Sequence, residues 1–432
     1  MTHGLDDKRT VISWALYDWA NSAFATTVMA GFFPVFFKQY WNAGVDATVS
    51  TARLGIGNSV AGITVAVLAP ILGAIADRGT AKKRFLMFFA FMGCIMTLAL
   101  WMVGEGQWFC ALAVYVVATI GFSGGNIFYD ALITGVASNK RLDQVSALGY
   151  SLGYLGGASL FTLNVWMVSQ PEVFGLADKT EAVRWSFVTV GLWWAVFSIP
   201  ILCFVKEPKN PDAVAGTAMI RAGFEQIQTT FREIRQTRVV FLFLIAYWFY
   251  IDGVDTIVRM AVDYGMSIGL PESGLIKALL ITNFIGFPAA LAFGWIGKRL
   301  GARLGIFIAI GVYIVVTIWA SFIRTAPEFY ALAVIIGLVQ GGVQALSRSY
   351  YARLIPADKS AEFFGFYNML GKFAVVIGPL LMGGVGLAAR RVGASSDTAS
   401  RVSIGSIVIL FAVGAVLLCK VRPEATEEAS HD

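Results

Sequence analysis

Ionisable and amide side chains recur at helical spacing inside runs of this sequence that are otherwise apolar. Tyr17, Asp18, Asn21 and Ser22 share one helix face. Asn126, Asp130 and Thr134 follow at intervals of four, with Tyr129 beside them. Asp252, Asp255, Arg259 and Asp263 fall at intervals of three, four and four, which sets a base between acids. Asn368 and Lys372 are four apart, and Asn283, Gln344, Arg348 and Glu362 complete the set. Each such charge is expensive in hydrocarbon, so each is a candidate for handling protons, ions or a polar solute. Facing carboxylates such as Asp18 and Asp130 suit a proton carrier, or a polar clasp that closes a gate. Asp252 and Asp255 suit an ammonium and Lys372 a carboxylate, with Asn283, Gln344 and Asn368 as hydrogen-bonding partners. Tyr17, Asn21, Asn126, Tyr129 and Arg259 join them as candidate substrate contacts. The row from Asp252 to Asp263 also reads as a self-neutralising ladder. Arg348 is expected to pair with Glu362 at an inner gate.

Other chemistries are poorly served. The two histidines, His3 and His431, stand near the chain ends, away from any apolar run. Histidine relays, histidine metal sites and Ser–His catalysis are thereby disfavoured. Cys94, Cys110, Cys203 and Cys419 lie singly, with no CxxC spacing. No GxxxxGK[ST] loop offers a seat for ATP. No catalytic residue, metal or cofactor is expected. A membrane-embedded enzyme would need an activated nucleophile or a metal cluster, and a sensor would be expected to carry a soluble output domain, so both readings are disfavoured.

The elements that must position these residues are membrane helices. Of the 432 residues, 57% are apolar and 14% charged, too few polar groups to cover a surface in water. Windows of about 20 residues give twelve expected spans: 13–37, 54–77, 85–104, 108–137, 145–169, 185–205, 238–262, 274–297, 304–324, 328–354, 361–388 and 402–419. The fold class is therefore an all-α membrane protein of twelve transmembrane helices. The net charge of +6 is no nucleic-acid footprint, because the basic residues fall in short loops. Most of them lie on the side of the two termini, which places both termini in the cytoplasm.

The polar stretch 206–237 divides the spans into six and six. Ile220, Phe224, Ile227, Phe231 and Ile234 recur in it at spacings of four and three, as in an amphipathic helix on the membrane surface. The expected organisation is a six-helix bundle over 1–205, this linker, a second bundle over 238–420 and a tail over 421–432. The halves look like repeats. GAIADRGTAKKR at 73–84 matches GWIGKRLGAR at 294–303, and the paired glycines of GFSGGN (121–126) match those of GLVQGGVQ (337–344). The glycine-rich stretches GYSLGYLGG (149–157) and GPLLMGG (378–384) read as close-packing helix surfaces.

The loop from Gly73 through Asp77 and Arg78 to Lys82, Lys83 and Arg84 resembles the signature loop of the major facilitator superfamily. It departs from that pattern in having Gly79 directly after Arg78, and its second-half copy has Lys298 where the acid would stand. SWALYDWANSAF (13–24), YIDGVDTIVRMAVDYG (250–265), GGVQALSRSYYARLIP (341–356) and AEFFGFYNMLGKF (361–373) resemble the vacuole-effluxer branch of that superfamily. The resemblance spans nearly all twelve runs. It implies a secondary transporter working by alternating access, with its site between spans 1, 4, 7 and 10 and contributions from 8 and 11. Gly73, Asp77, Arg78 and Lys82 would then lock an inner gate. Efflux of amino acids is the activity it implies, with a drug or a sugar as alternative substrates of the same fold. The short loops resemble a bacterial member, monomeric, in the cytoplasmic membrane, with protons as a possible second substrate.

Overall fold

The computed structural model describes residues 4–207, 229–267, 272–373 and 377–421, and among them every regular element is helical. The first half holds α1 (Lys8–Trp41), α2 (Ala47–Gly79), α3 (Lys82–Ala99), α4 (Trp108–Leu132), α5 (Leu142–Ser169) and α6 (Lys179–Phe204). The second holds α7 (Arg238–Ser267), α8 (Glu272–Leu300), α9 (Ala302–Ala320), α10 (Ala326–Leu354) and α11 (Ser360–Phe373). It ends with α12 (Ile377–Arg391), α13 (Ser396–Ser406) and α14 (Val408–Lys420).

Among the described residues, ten helices are long and apolar enough to cross a membrane, against the twelve expected. The expected span 145–169 is a single helix, α5, but its glycines, serines and asparagine make it less apolar than the rest. The expected span 361–388 contains α11 and α12 on either side of residues 374–376, which lie outside the described residues. The expected amphipathic helix falls mostly on 208–228, also outside them. Residues 229–236 are helical, with Ile234 buried, Phe231 exposed and Glu233 bound to Lys359 at 2.7 Å.

The chain turns its apolar side chains outward as well as inward. Ile56, Val60, Ile63 and Val67 form an exposed stripe on α2, and Leu192, Val196 and Ile199 another on α6. Such stripes are favourable against lipid tails, so burial alone does not drive these helices together. Close packing and interior hydrogen bonds do. A Cβ at Gly156 would overlap the backbone of Trp19, so α5 lies against α1 because that position is glycine. The halves of the chain meet chiefly where α2 packs on α11 and α5 packs on α8, with α10 against α5 and α11 against α4 beside them.

α1 is not a uniform α-helix. Asp7 caps its start by accepting from the Thr10 N–H at 2.9 Å, and the chain is π-helical over Phe24–Phe32 and Phe37–Trp41. π-helical turns concentrate at functional sites. Here the first one carries Ala25, Thr26 and Ala30 to the wall of an interior cavity.

Candidate functional site

A cavity of about 430 Å³ lies between α1, α4 and α5 of the first half and α7 to α11 of the second, with Ile404 of α13. Its closed end is polar. Asp18, eleven positions into α1 counted from Lys8, meets Tyr129 and Asp130 near the end of α4 and Arg348 near the end of α10. Its other end is lined by Val316 and Ala320 of α9 and by Phe329, Leu332 and Ala333 of α10.

Arg348 organises the polar end. Its side chain is 1% exposed, and each of its nitrogens is engaged. Nη1 lies 3.4 Å from Asp18 Oδ2 and 3.1 Å from Asp130 Oδ1. Nε donates to Ser146 Oγ at 2.9 Å and Nη2 to the Ser146 carbonyl at 2.8 Å. The guanidinium also lies over the rings of Tyr150 (4.3 Å), Trp14 (4.9 Å) and Tyr129 (5.2 Å). Tyr129 Oη donates to Asp18 Oδ2 at 2.7 Å, and Asn368 Nδ2 donates to Asp130 Oδ2 at 3.2 Å. Two carboxylates therefore share one guanidinium, and side chains of α1, α4, α5, α10 and α11 meet in one network.

The remaining wall is amide and phenol. Asn21 Nδ2 donates to Asn126 Oδ1 at 2.6 Å across α1 and α4. Asn283, Gln344 and Asn368 line the cavity from α8, α10 and α11, and Tyr150, Tyr154, Tyr247 and Tyr367 add aromatic faces.

Beyond the polar end, on the side where α1, α3 and α5 begin, two further contacts join the halves of the chain. In the first, Asp77 at the end of α2 accepts from the N–H groups of Ala361 (3.2 Å) and Glu362 (2.8 Å) at the start of α11. Lys82 Nζ lies 2.8 Å from Asp77 and also donates to Ser360 Oγ at 2.8 Å. Gly73 sits where a Cβ would overlap the Ala361 carbonyl. In the second, Asp143 in the first turn of α5 pairs with Arg353 of α10 at 2.8 Å and accepts from Ser349 Oγ at 2.5 Å.

Several sequence expectations need correction. Arg348 pairs with Asp18 and Asp130, not with Glu362. Glu362 is buried at the other contact, where its backbone N–H binds Asp77. Asp252 does not face the cavity: both its oxygens accept from backbone N–H groups at the start of α12, Gly378 at 3.0 Å and Ile377 at 3.1 Å. Thr256 Oγ1 donates to it as well, at 3.1 Å. A carboxylate is favourable there because a helix start presents unpaired N–H groups and positive partial charge. Asp255 is half-buried on α7 outside the cavity lining, and Tyr17 is buried behind it, its ring 5.0 Å from that of Tyr129. Arg78 is half-buried beside Asp77. The side chains of Arg259, Asp263 and Lys372 lie outside the described residues.

Other participants were missed. Tyr150 and Tyr154 stand in the glycine-rich stretch read as packing surface; their spacing of four on one face was the available signal. The glycines of that stretch do pack on α1, while its tyrosines turn to the cavity. Asp143, Ser146 and Arg353 carried no signal beyond their residue types.

Comparison with known proteins gives a consistent result. Residues 47–142 and 134–429 match the family described as "Vacuole effluxer Atg22 like". The chain is 38% identical to the uncharacterized MFS-type transporter YxiO of Bacillus subtilis, over 97% of this chain and 96% of that one. It is 24% identical to autophagy-related protein 22 of Yarrowia lipolytica, over 74% of this chain and 68% of the relative. The fold is shared with the human organic anion transporter MFSD10, at a TM-score of 0.73 and 14% identity, over 95% of this chain and 99% of that one. An all-helical, multi-pass membrane protein with an interior cavity that is polar at one end, this chain belongs to the vacuole effluxer Atg22-like family of major facilitator transporters.

Proposed function

We propose that this protein is a secondary transporter that exports a small solute, an amino acid or a close derivative, by alternating access. Two six-helix bundles, 1–205 and 238–420, rock about the cavity, joined by the linker 206–237. The two bundles hold twelve spans, with α5 as the fifth, α11 with α12 as the eleventh, and α13 with α14 as the last. The protein acts as a monomer in a bacterial cytoplasmic membrane, with both termini in the cytoplasm. Asp18 and Asp130 carry the coupling proton. Tyr17, Asn21, Asn126, Tyr129, Asn283, Gln344, Asn368 and Lys372 form or support the substrate site, and Asp255 and Arg259 border it. Gly73, Asp77, Arg78, Lys82 and Glu362 form the cytoplasmic gate.

One observation carries the reading: the Asp18–Arg348–Asp130 network closes one end of a cavity of about 430 Å³ by joining helices from both halves of the chain. A contact of that kind must break if the halves separate at that end, and its breaking would be felt at the substrate site. The family's description as effluxers supports the direction.

The test is direct. Spin-label pairs across α2 and α11, and across the far ends of α1 and α7, should give reciprocal distances in two populations. In proteoliposomes, Asp18→Asn and Asp130→Asn should each abolish accumulation driven by a pH gradient while leaving exchange partly intact. A single distance at each end under all conditions defeats alternating access. Gradient-driven accumulation unchanged in both variants and in the double variant removes the two acids as proton carriers.

A further inference from the structure

We propose that Glu362, in the first turn of α11, takes up a proton when the α2–α11 contact closes and returns it when the contact opens, so that acid on that side of the membrane holds the contact shut. The proposal rests on the transporter reading, which makes this contact the cytoplasmic gate, and names a regulation of it.

Two acids meet at one helix start. A helix start offers unpaired N–H groups that can hold a carboxylate. Asp77 has already taken them: it accepts from the N–H groups of Ala361 and Glu362 and pairs with Lys82 at 2.8 Å. The Glu362 carboxyl is left over. It is 0% exposed, and among the described residues neither of its oxygens has a hydrogen-bond partner. The backbones on either side of it lie too close to admit a methyl, at Gly73 against Ala361 and at Gly365 against Ala69.

The neighbouring charges are committed elsewhere. Thr230 and Glu233 of the helical residues 229–236 face Glu362, as does Lys359 from the turn before α11. Glu233 and Lys359 pair with each other at 2.7 Å. Lys82 is engaged by Asp77 and by Ser360 Oγ. Arg78 is half-buried beside Asp77, and Asp358, Arg232 and Arg235 are exposed. The titratable groups of α4 and α7 meet α11 further along, Asp130 at Asn368 and Tyr247 at Tyr367.

An ionised carboxylate sealed in without a donor costs far more than the neutral acid. Closing the contact therefore forms an O–H bond on one Glu362 oxygen with a proton drawn from water. Opening breaks that bond, leaves the electron pair on the oxygen and returns the proton to water. One proton is bound per closure. In an exporter this is a brake, because an acid cytoplasm keeps the cavity from being loaded on that side.

Spin labels across α2 and α11, on the full chain in nanodiscs, read the closed-to-open ratio from mild acid to mild alkali. The ratio should fall by about tenfold per pH unit through the window in which Glu362 titrates. Glu362→Gln, shaped like the protonated acid, should stay closed in alkali and lose that fall. Glu233→Gln frees Lys359 to attract the ionised form and should move the window to lower pH. Lys359→Gln leaves the Glu233 charge unpaired and should move it to higher pH. These opposite shifts decide the matter if Glu362→Gln does not fold. A ratio independent of pH overturns the proposal, as does a fall undiminished in Glu362→Gln or a window that neither neighbour moves. Glu362→Gln opening the contact would show that a cation holds the ionised acid, and overturns it too. None of these outcomes touches the transporter reading, which needs only that both ends open reciprocally.

Discussion

Beyond the polar end of the cavity the halves of the chain meet twice, where α2 meets α11 and where α5 meets α8 and α10, and the two contacts place their acid on opposite partners. At the first, Asp77 stands at the end of α2 and binds backbone N–H groups at the start of α11. At the second, Asp143 stands in the first turn of α5 itself and reaches out to the side chains of Ser349 and Arg353. The sequence repeat explains the exchange. The loop after α8 has Lys298 at the place where the loop after α2 has Asp77, so the acid of the second closure has to come from the partner helix. Both arrangements set a carboxylate near a helix start, where the dipole favours it. They differ in what can be replaced: Asp77 takes two main-chain N–H groups, which are fixed, beside the Lys82 ammonium, whereas the donors to Asp143 are side chains.

That difference predicts unequal responses to exchanging charges. Asp77→Lys with Lys82→Asp sets an ammonium against backbone donors in a contact whose side chains are 5–6% exposed. The closed state should lose about 3–5 kcal/mol, enough to invert its population. Asp143→Arg with Arg353→Asp restores an ion pair and should stay within about 1 kcal/mol of the original. Spin-label distances across each contact read both outcomes, and equal responses would mean that main-chain and side-chain donors are interchangeable at these contacts.

A smaller effect tests the helix approach instead of the charges. Gly73→Ala places a methyl against the Ala361 carbonyl, which is backbone and cannot turn aside. It should open the α2–α11 contact at a cost of about 1–3 kcal/mol. Gly62→Ala, on the same helix with open space around it, should be neutral or stabilise by up to about 1 kcal/mol. Thermal unfolding of both variants in one detergent makes the comparison. Matching losses would mean that helix propensity, not the close approach, sets the result.

The smallest effect is in salt. Arg353 is 25% exposed, so ions reach the Asp143 pair, and screening shortens from about 10 Å at 0.1 M to about 3 Å at 1 M. Asp143→Asn should cost no more than about 1 kcal/mol in dilute buffer and almost nothing in concentrated salt. Asp77→Asn should cost the same in both. A salt-sensitive Asp77→Asn would show that its contact is wetter than its burial implies.

The helices were legible because the apolar runs are long; the partners of the charges were not. Asp18 and Asp130 could be placed near one end of α1 and α4 by counting 1.5 Å per residue, since depth is a one-dimensional property of a helix. Which cation they meet depends on the rotation and crossing of α10, which spacing along a chain does not encode. Residue order therefore points Arg348 to Glu362, fourteen residues on, whereas its partners are over two hundred residues away. Asp252 misled for the opposite reason. A carboxylate in an apolar run signals that something must neutralise it, but main-chain N–H groups serve as well as a ligand and leave no trace in residue types. The fifth span was weak as a membrane signal for the same glycines and serines that let α5 lie against α1.

Trp14 gives the molecule an internal optical probe. Its indole is fully buried, stacks on Tyr129 at 4.4 Å, donates to the Tyr129 carbonyl at 3.0 Å and carries the Arg348 guanidinium 4.9 Å from its ring. Indole emission responds to the electric field along the ring, and here a guanidinium paired with two carboxylates stands 4.9 Å from it. A shift of charge at the cavity's polar end would thus be recorded as a spectral shift, with no label attached. The chain has 12 tryptophans, so a version keeping only Trp14 would turn that response into a clean signal for charge arriving and leaving.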